Sequence, residues 1–482
     1  MSKDNTTGKS KGKYRYLLGN IGLFSVSNLV SKILVFLLVP LYTNVLTTYE
    51  YGIADVMQVT LLLLVPALTL NIGEAALRFG IENADKRGGI LKTGISHLLR
   101  ADAVTVGLCI VAFAFVDEGI KWYILLFAIL FMANSCFEFL VLYFQGCEEV
   151  PTVVVGSVTS TVVMIVSNIV FLLVIRIGLN GYLYSQIIAY AVSSAVMTVL
   201  GIKHGVIRDV KEDRELSAQM VSYGVPLIAY STGSWVNNAA DRYIVLALCG
   251  AAVNGVYGVA YKIPAILMVF QRIFAQAWQM SATKSYKDDK SSEFFTQMYR
   301  AYNCFMVIGC AILILLVRPI ALFMFRKDFF EAWRFVPPLL ISVIFGALTG
   351  FLGSICLAFK DSKSMGVATS AGAVANVAMN LAFIPKYGAM GAAVATALSY
   401  AIMWGFAYSF VRRYTSIDNN LLSDVLSYLI LVAITIAVIG QVPGMYLIGA
   451  VLLAVILLLY FRDVRNITEK IAGMLRSKVN GN

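Results

Sequence analysis

Between residue 17 and residue 461 the chain is a near-unbroken series of apolar stretches, each about 20 residues or longer. In hydrocarbon every backbone N–H and C=O has to be satisfied inside the structure, which restricts such stretches to membrane helices or a closed barrel. Barrel strands are half as long and alternate polar with apolar residues, and these runs do neither. The fold class expected is therefore an all-α polytopic membrane protein with fourteen spans: 17–41, 52–80, 90–116, 122–145, 152–175, 181–202, 217–247, 253–279, 298–324, 334–358, 365–384, 389–411, 422–440 and 445–461. The first run carries Asn28, Ser31 and Lys32 and has no small-residue cleavage site, so it reads as a retained helix and not as a signal peptide. Apolar residues make up 59% of the chain and charged residues 13%, which leaves little sequence for a soluble domain.

The few charges carry orientation. Of 38 Lys and Arg, 24 fall in the two tails and in alternate loops, against six (Lys121, Arg176, Arg326, Lys327, Arg334 and Lys386) in the other set. Positive loops remain cytoplasmic, so both termini are expected inside. The net charge of +11 is spread over loops facing anionic headgroups, and membrane lipids, not nucleic acid, are its expected partner. Seven cysteines lie in or beside apolar runs without C-x-x-C spacing, which suggests packing in place of zinc or disulfides. After Arg462, Val464, Ile467, Ile471, Met474 and Leu475 recur at helical steps among charges, as in an amphipathic surface helix.

The chain is also a duplication. Tyr51-Gly52-Ile53-Ala54 returns as Tyr257-Gly258-Val259-Ala260, and Gly178-x-x-Gly181 with Tyr190-Ala191 returns as Gly388-x-x-Gly391 with Tyr400-Ala401. Each copy holds an even number of spans, so the copies are parallel, an arrangement that recurs in secondary transporters with substrate held between the repeats. The expected organisation is a basic tail at 1–16, an N-lobe at 17–202, a linker at 203–216, a C-lobe at 217–411, two further helices at 412–461 and the amphipathic tail at 462–482. Shifting Asn28, Ser31 and Lys32 by one repeat gives Ser234, Asn237 and Asn238, so each first helix is expected to have one wet face.

Catalysis finds little support. There are two histidines, no Gly-x-Ser-x-Gly elbow, no phosphate-binding glycine loop and no inter-span loop as long as twenty residues. A cation at membrane depth costs about 2.5 kcal/mol or more on insertion scales, and it usually faces a cavity or a partner. Lys32, Arg242 and Lys262 are the deepest. Arg78, Arg100, Arg272 and Arg300 lie nearer span ends, where snorkelling is an alternative, and Arg78 also has Glu74 one turn away to neutralise it. Together with Asn28, the set Lys32, Lys262, Arg242, Arg272 and Arg78 would suit a phosphate or pyrophosphate head whose lipid tail stays in the bilayer. Asn376 and Asn380, one turn apart, with Thr396, Asp241 and Asn237 offer oxygen ligands for a sodium ion, although such asparagines more often bond a neighbouring helix. Glu74, Asp102, Glu138 and Asp241 are the acids available to take a proton or to form an ion pair. Prolines 66, 226, 264 and 337–338 are expected to interrupt spans two, seven, eight and ten and to act as hinges.

Taken together, Leu41-Tyr42-Thr43, Glu50-Tyr51-Gly52, Asp241-Arg242-Tyr243, Val256-Tyr257-Gly258-Val259-Ala260-Tyr261-Lys262 and Asn376-x-x-x-Asn380 with Gly388-x-x-Gly391-Ala392-Ala393 resemble the polysaccharide (O-antigen and capsule type) flippases of the multidrug/oligosaccharidyl-lipid/polysaccharide exporter superfamily. The resemblance implies two six-helix lobes plus two helices in a bacterial plasma membrane. It implies transfer of a polyprenyl-pyrophosphate-linked oligosaccharide from the inner to the outer leaflet, with a polysaccharide polymerase and chain-length machinery as partners. No cofactor is implied beyond Na+ or H+ coupling. Lys32 matches a position where lipid II flippases carry a cavity arginine. Asn237, Asn376, Asn380 and Thr396 resemble a sodium site of the same relatives, with Asn380 standing where a carboxylate would be expected. The alternatives are a flippase of lipid II or teichoic-type precursors and a cation-coupled multidrug antiporter. The antiporters carry a functional Asp in the first helix, and this chain has no acid between residues 5 and 49.

Overall fold

A computed structural model describes residues 36–207, 214–285, 291–417, 421–463 and 465, and among them there are helices and turns and no strand. The expected first span up to residue 35, with Asn28 and Lys32, the middle of the linker at 208–213 and nearly all of the amphipathic tail lie outside the described residues. The described chain divides into two compact units at Trp235/Val236. That point lies inside a single helix, Arg214–Cys249, and past the charged stretch at 203–216 that sequence suggested as the divide.

The first unit contains α1 (Val39–Val45), α2 (Thr48–Leu68), α3 (Ile72–Glu82), α4 (Arg87–Phe113), α5 (Glu118–Gly146), α6 (Val150–Asn168), α7 (Gly178–Lys203) and the start of α8 (Arg214–Cys249). Helix α2 starts at a capping box: Glu50 N–H donates to Thr47 Oγ1 at 3.2 Å and Thr47 N–H to the Glu50 carboxylate at 2.8 Å. The same carboxylate accepts from Leu179 N–H at the start of α7, 3.3 Å away. The core gathers Ile72, Ala75 and Ala76 of α3, Ile90 and Leu98 of α4, and Phe139, Tyr143 and Phe144 of α5. Outward faces remain apolar, as at Leu99, Ile110 and Val174, which suits lipid and not water.

The second unit contains the rest of α8, α9 (Ala251–Ala260), α10 (Pro264–Ser285), α11 (Ser291–Leu315), α12 (Val317–Met324), α13 (Val336–Ala358), α14 (Ser362–Val411), α15 (Leu421–Ile439) and α16 (Met445–Leu459). Helix α13 is its axis, almost wholly enclosed, with Phe351 stacked on Trp278 at 4.1 Å.

By length and apolarity nine described helices can cross a membrane, or ten if α9 and α10, bent by 48°, form one span, so the expected fourteen is not reached. Five causes are visible. The first span is outside the described residues; α8 does not meet that test; α9 and α10 are bent apart; α14 covers two expected spans joined at a kink; and α16, at 15 residues, is too short. A straight helix of fifty residues would measure about 75 Å, more than twice a bilayer core, and α14 is two helices that meet in a kink at Gly388, φ 58° and ψ −143°. The prolines also need correction. Pro337 and Pro338 begin α13, where no N–H is required, and do not interrupt a span; Pro264 begins α10 directly after the 48° bend and does mark an interruption of span eight. Of the prolines singled out by sequence, Pro66 and Pro226 lie within helices; Pro385, which was not singled out, lies within α14 three residues before its kink.

Candidate functional site

Gly250, at φ 87°, turns the chain sharply from α8 into α9 and brings Asp241 of α8 to Tyr257 and Tyr261 of α9. One carboxylate oxygen, Oδ2, accepts from the Tyr257 hydroxyl at 2.6 Å, the Tyr261 hydroxyl at 2.7 Å and Thr396 Oγ1 of α14 at 3.3 Å. Asp241 is 3% exposed, and such charge-assisted bonds, about 1.5–3 kcal/mol each, are what make its burial tolerable. Thr396 in turn accepts from Asn376 Nδ2, which also reaches Ser399 Oγ at 3.1 Å, and Asn376 Oδ1 accepts from Asn380 Nδ2 at 2.9 Å. The i, i+4 spacing of the two asparagines places both on one face of α14.

Two oxygens of this network have no hydrogen-bond partner: Asp241 Oδ1 and Asn380 Oδ1. Buried polar atoms are rarely left so, and a carboxylate, an amide oxygen and a hydroxyl are the donor types that hard cations take. Asp241, Asn380 and Thr396 are therefore the side chains that would hold a sodium ion. Asn237, from the same expected set, donates to the Thr369 carbonyl at 3.3 Å. Among the described residues no group of three or more His, Cys, Asp or Glu stands together.

The expected cations separate. Arg242 lies over the Tyr261 ring, 4.5 Å from its centroid, beside the Asp241 network. Lys262 is half-buried at the break between α9 and α10, and Arg272 is exposed on α10. Arg78 overturns the expected pairing with Glu74: its guanidinium bonds Glu82 at 3.2 Å and covers the Tyr223 ring at 4.8 Å. Glu74 instead lines a cavity of the first unit.

Sequence reading missed the two tyrosines as partners of Asp241. A Tyr-x-x-x-Tyr on a short apolar helix was the available signal. It also missed Asp424, 3% exposed near the start of α15, whose Oδ1 accepts from Tyr460 at 2.8 Å; Tyr460 accepts from Asn303 of α11, and Asn303 from Tyr428. This network fixes the two helices outside the repeat to the second unit.

A family model described as polysaccharide biosynthesis protein matches residues 17–282. No curated protein sequence matches the chain. Among solved structures the chain is similar to the lipid II flippase MurJ in its inward closed conformation, with a TM-score of 0.67 and 16% identity over 92% of this chain and 99% of that one. It is similar to an inward-facing multidrug resistance MATE family transporter of the MOP superfamily, at 0.66 and 11% identity over 80% and 95%. A MOP superfamily transporter from Pyrococcus furiosus, described as having a binding pocket of reverse polarity, gives 0.52 and 12% identity over 82% and 93%.

Proposed function

This chain belongs to the polysaccharide biosynthesis protein family, and we propose that its task there is to carry polyprenyl-pyrophosphate-linked oligosaccharide from the inner to the outer leaflet by alternating access. The family match over residues 17–282 is the observation that carries this reading. The fold shared with a lipid II flippase supports it, because both tasks move a large polar head past an apolar interior. Depth-placed cations would receive the pyrophosphate: Lys32 and Asn28 in the first span, and Arg242, Lys262, Arg272 and Arg78 further along. The buried Asp241, Asn376, Asn380 and Thr396 network, with Asn237 nearby, would take a cation that drives the cycle. A cation bound where two oxygens lack partners favours the arrangement that brings those oxygens together, and this differential affinity is what couples an ion to a conformational change.

A second reading is cation-coupled multidrug antiport. The likeness to a MATE transporter and a carboxylate-lined cavity in the first unit favour it. Reconstituted vesicles decide between the two. Translocation of a lipid-linked oligosaccharide is the expected result, whereas efflux of cationic dyes without lipid translocation would install the rival.

A further inference from the structure

The first unit contains a half-open cavity of about 380 Å³, lined by Thr69, Asn71, Glu74, Ser135, Glu138 and Tyr223 together with apolar side chains. It forms where α2 and α3 part company. Leu70 and Asn71 both take left-handed backbone angles, φ 57° and 52°, without being glycine. The break is held by Asn71 N–H donating to the Pro66 carbonyl at 2.9 Å and by close approach of α8, since a Cβ on Gly224 would stand 2.1 Å from the Leu70 oxygen. Strained backbone at membrane depth is tolerated where it lines a cavity.

What faces this space is of one sign. Glu74, one turn into α3, and Glu138, on α5, both have exposed side chains and both line it, and no Lys or Arg does so among the described residues. The cation within reach, Arg78, is engaged by Glu82 and by Tyr223. Asn71 is 8% exposed, and its Nδ2 has no hydrogen-bond partner although it lines the cavity. Two carboxylates in a space walled by apolar helices repel any anion strongly, and they accept hydrogen bonds from hydroxyl or ammonium groups equally strongly. The volume lies at the lower end of the roughly 300–1,000 Å³ of small-molecule sites, and is many times the ~30 Å³ share of one water.

We infer that this cavity holds a saccharide unit that is neutral or bears a protonated amine, and that Glu74 and Glu138 turn acidic sugars away. The inference rests on the glycan-carrying reading given above and names the chemical class of the glycan. The carboxylates supply acceptors, and Asn71, which lines the cavity, carries an amide nitrogen without another partner.

Binding of glucosamine, methyl glucoside and glucuronate to the purified full chain in nanodiscs tests it, at fixed pH and ionic strength. Glucosamine is expected to bind at least tenfold more tightly than glucuronate, with the neutral sugar between them. Glu74→Gln and Glu138→Gln, each folded by its thermal transition, are expected to narrow that ratio several-fold. Equal binding of glucosamine and glucuronate by the unaltered chain overturns the inference, as does an unchanged ratio in both folded variants. If a variant fails to fold, the ratio in the unaltered chain decides alone. Vesicles separate this claim from the one beneath it. If lipid-linked acidic glycan moves as fast as neutral glycan, the carboxylate selectivity falls and the flippase reading stands; if the sugar ranking holds while no lipid-linked glycan moves, the reverse is true.

Discussion

Gly178 and Gly388 hold the same place in the two copies and take nearly the same backbone angle, φ 54° and 58°. The second glycine of each motif is a close-contact position: a Cβ on Gly181 would meet Phe171, and one on Gly391 would meet the Phe383 carbonyl at 2.6 Å. The repeated Gly-x-x-Gly is thus a bend followed by a tight approach, and its chemistry was legible in sequence while its geometry was not. At ψ −143° Gly388 occupies a region that only glycine enters readily, so Gly388→Ala is expected to cost about 1–3 kcal/mol, read as a lowered thermal transition in detergent. Asp361, outside the spans, behaves as a surface tie. The Ser364 hydroxyl, the Ser364 N–H at 3.0 Å and the Tyr414 hydroxyl at 2.8 Å hold its carboxyl below the usual carboxylate range. Its contribution to stability is therefore present above about pH 4 and is lost as pH falls through the depressed value. Asp361→Asn is expected to unfold at lower temperature than the unaltered chain at pH 7, with the gap closing below about pH 4; a gap constant with pH would contradict the tie.

Helix breaks were partly legible at the scale of elements, since spans two and eight break beside Pro66 and Pro264. The break between α2 and α3 carries no glycine or Pro-Gly signal: Pro66 stands three residues ahead of Thr69, and the left-handed residues are Leu70 and Asn71. The expected hinge at Pro66 nevertheless falls just before the break, and its carbonyl accepts from Asn71 N–H at 2.9 Å, while the left-handed turn itself packs closely against Gly224 of α8. Pro337 and Pro338 show the converse, a strong local signal that marks a helix start and leaves no break. Close packing between helices has a clear position at Gly146, the last residue of α5. A Cβ there would lie 2.7 Å from the Ala76 and Leu77 carbonyl oxygens of α3, so only a residue without one allows this approach. Gly146→Ala is expected to push α3 and α5 apart at a cost of about 1–3 kcal/mol, seen in thermal unfolding, while the exposed Gly107, with nothing within 4 Å, accepts Ala freely.

For the molecule as a whole, the duplication concerns backbone and not chemistry. Tyr257 bonds a buried aspartate in the second unit, while the first unit presents its acids, Glu74 and Glu138, to a cavity. If the Asp241 network takes the driving cation, Asp241→Asn is expected to reduce transport at least tenfold and to flatten its dependence on sodium or pH, with protein still inserted. Retention of the full ion dependence would remove Asp241 from that role. Lys32→Ala tests the other end of the proposal: loss of glycan translocation with normal insertion is expected, and normal translocation would exclude Lys32 from pyrophosphate binding.

Apolar run length and residue periodicity were sufficient to establish a helical membrane protein, and the repeated glycine and tyrosine pairs to suggest two related halves, because each depends only on neighbours along the chain. They also singled out Asp241, Asn376, Asn380 and Thr396, since polar residues in apolar helices are conspicuous by composition. The tertiary structure decided what those residues do for one another. Asp241 meets Thr396, 155 positions away, through the packing of α8 against α14, and Arg78 meets the Tyr223 ring, 145 positions away, where α8 lies beside α3. Contacts between distant segments are set by the summed fit of whole helices, and no local stretch of sequence carries that sum.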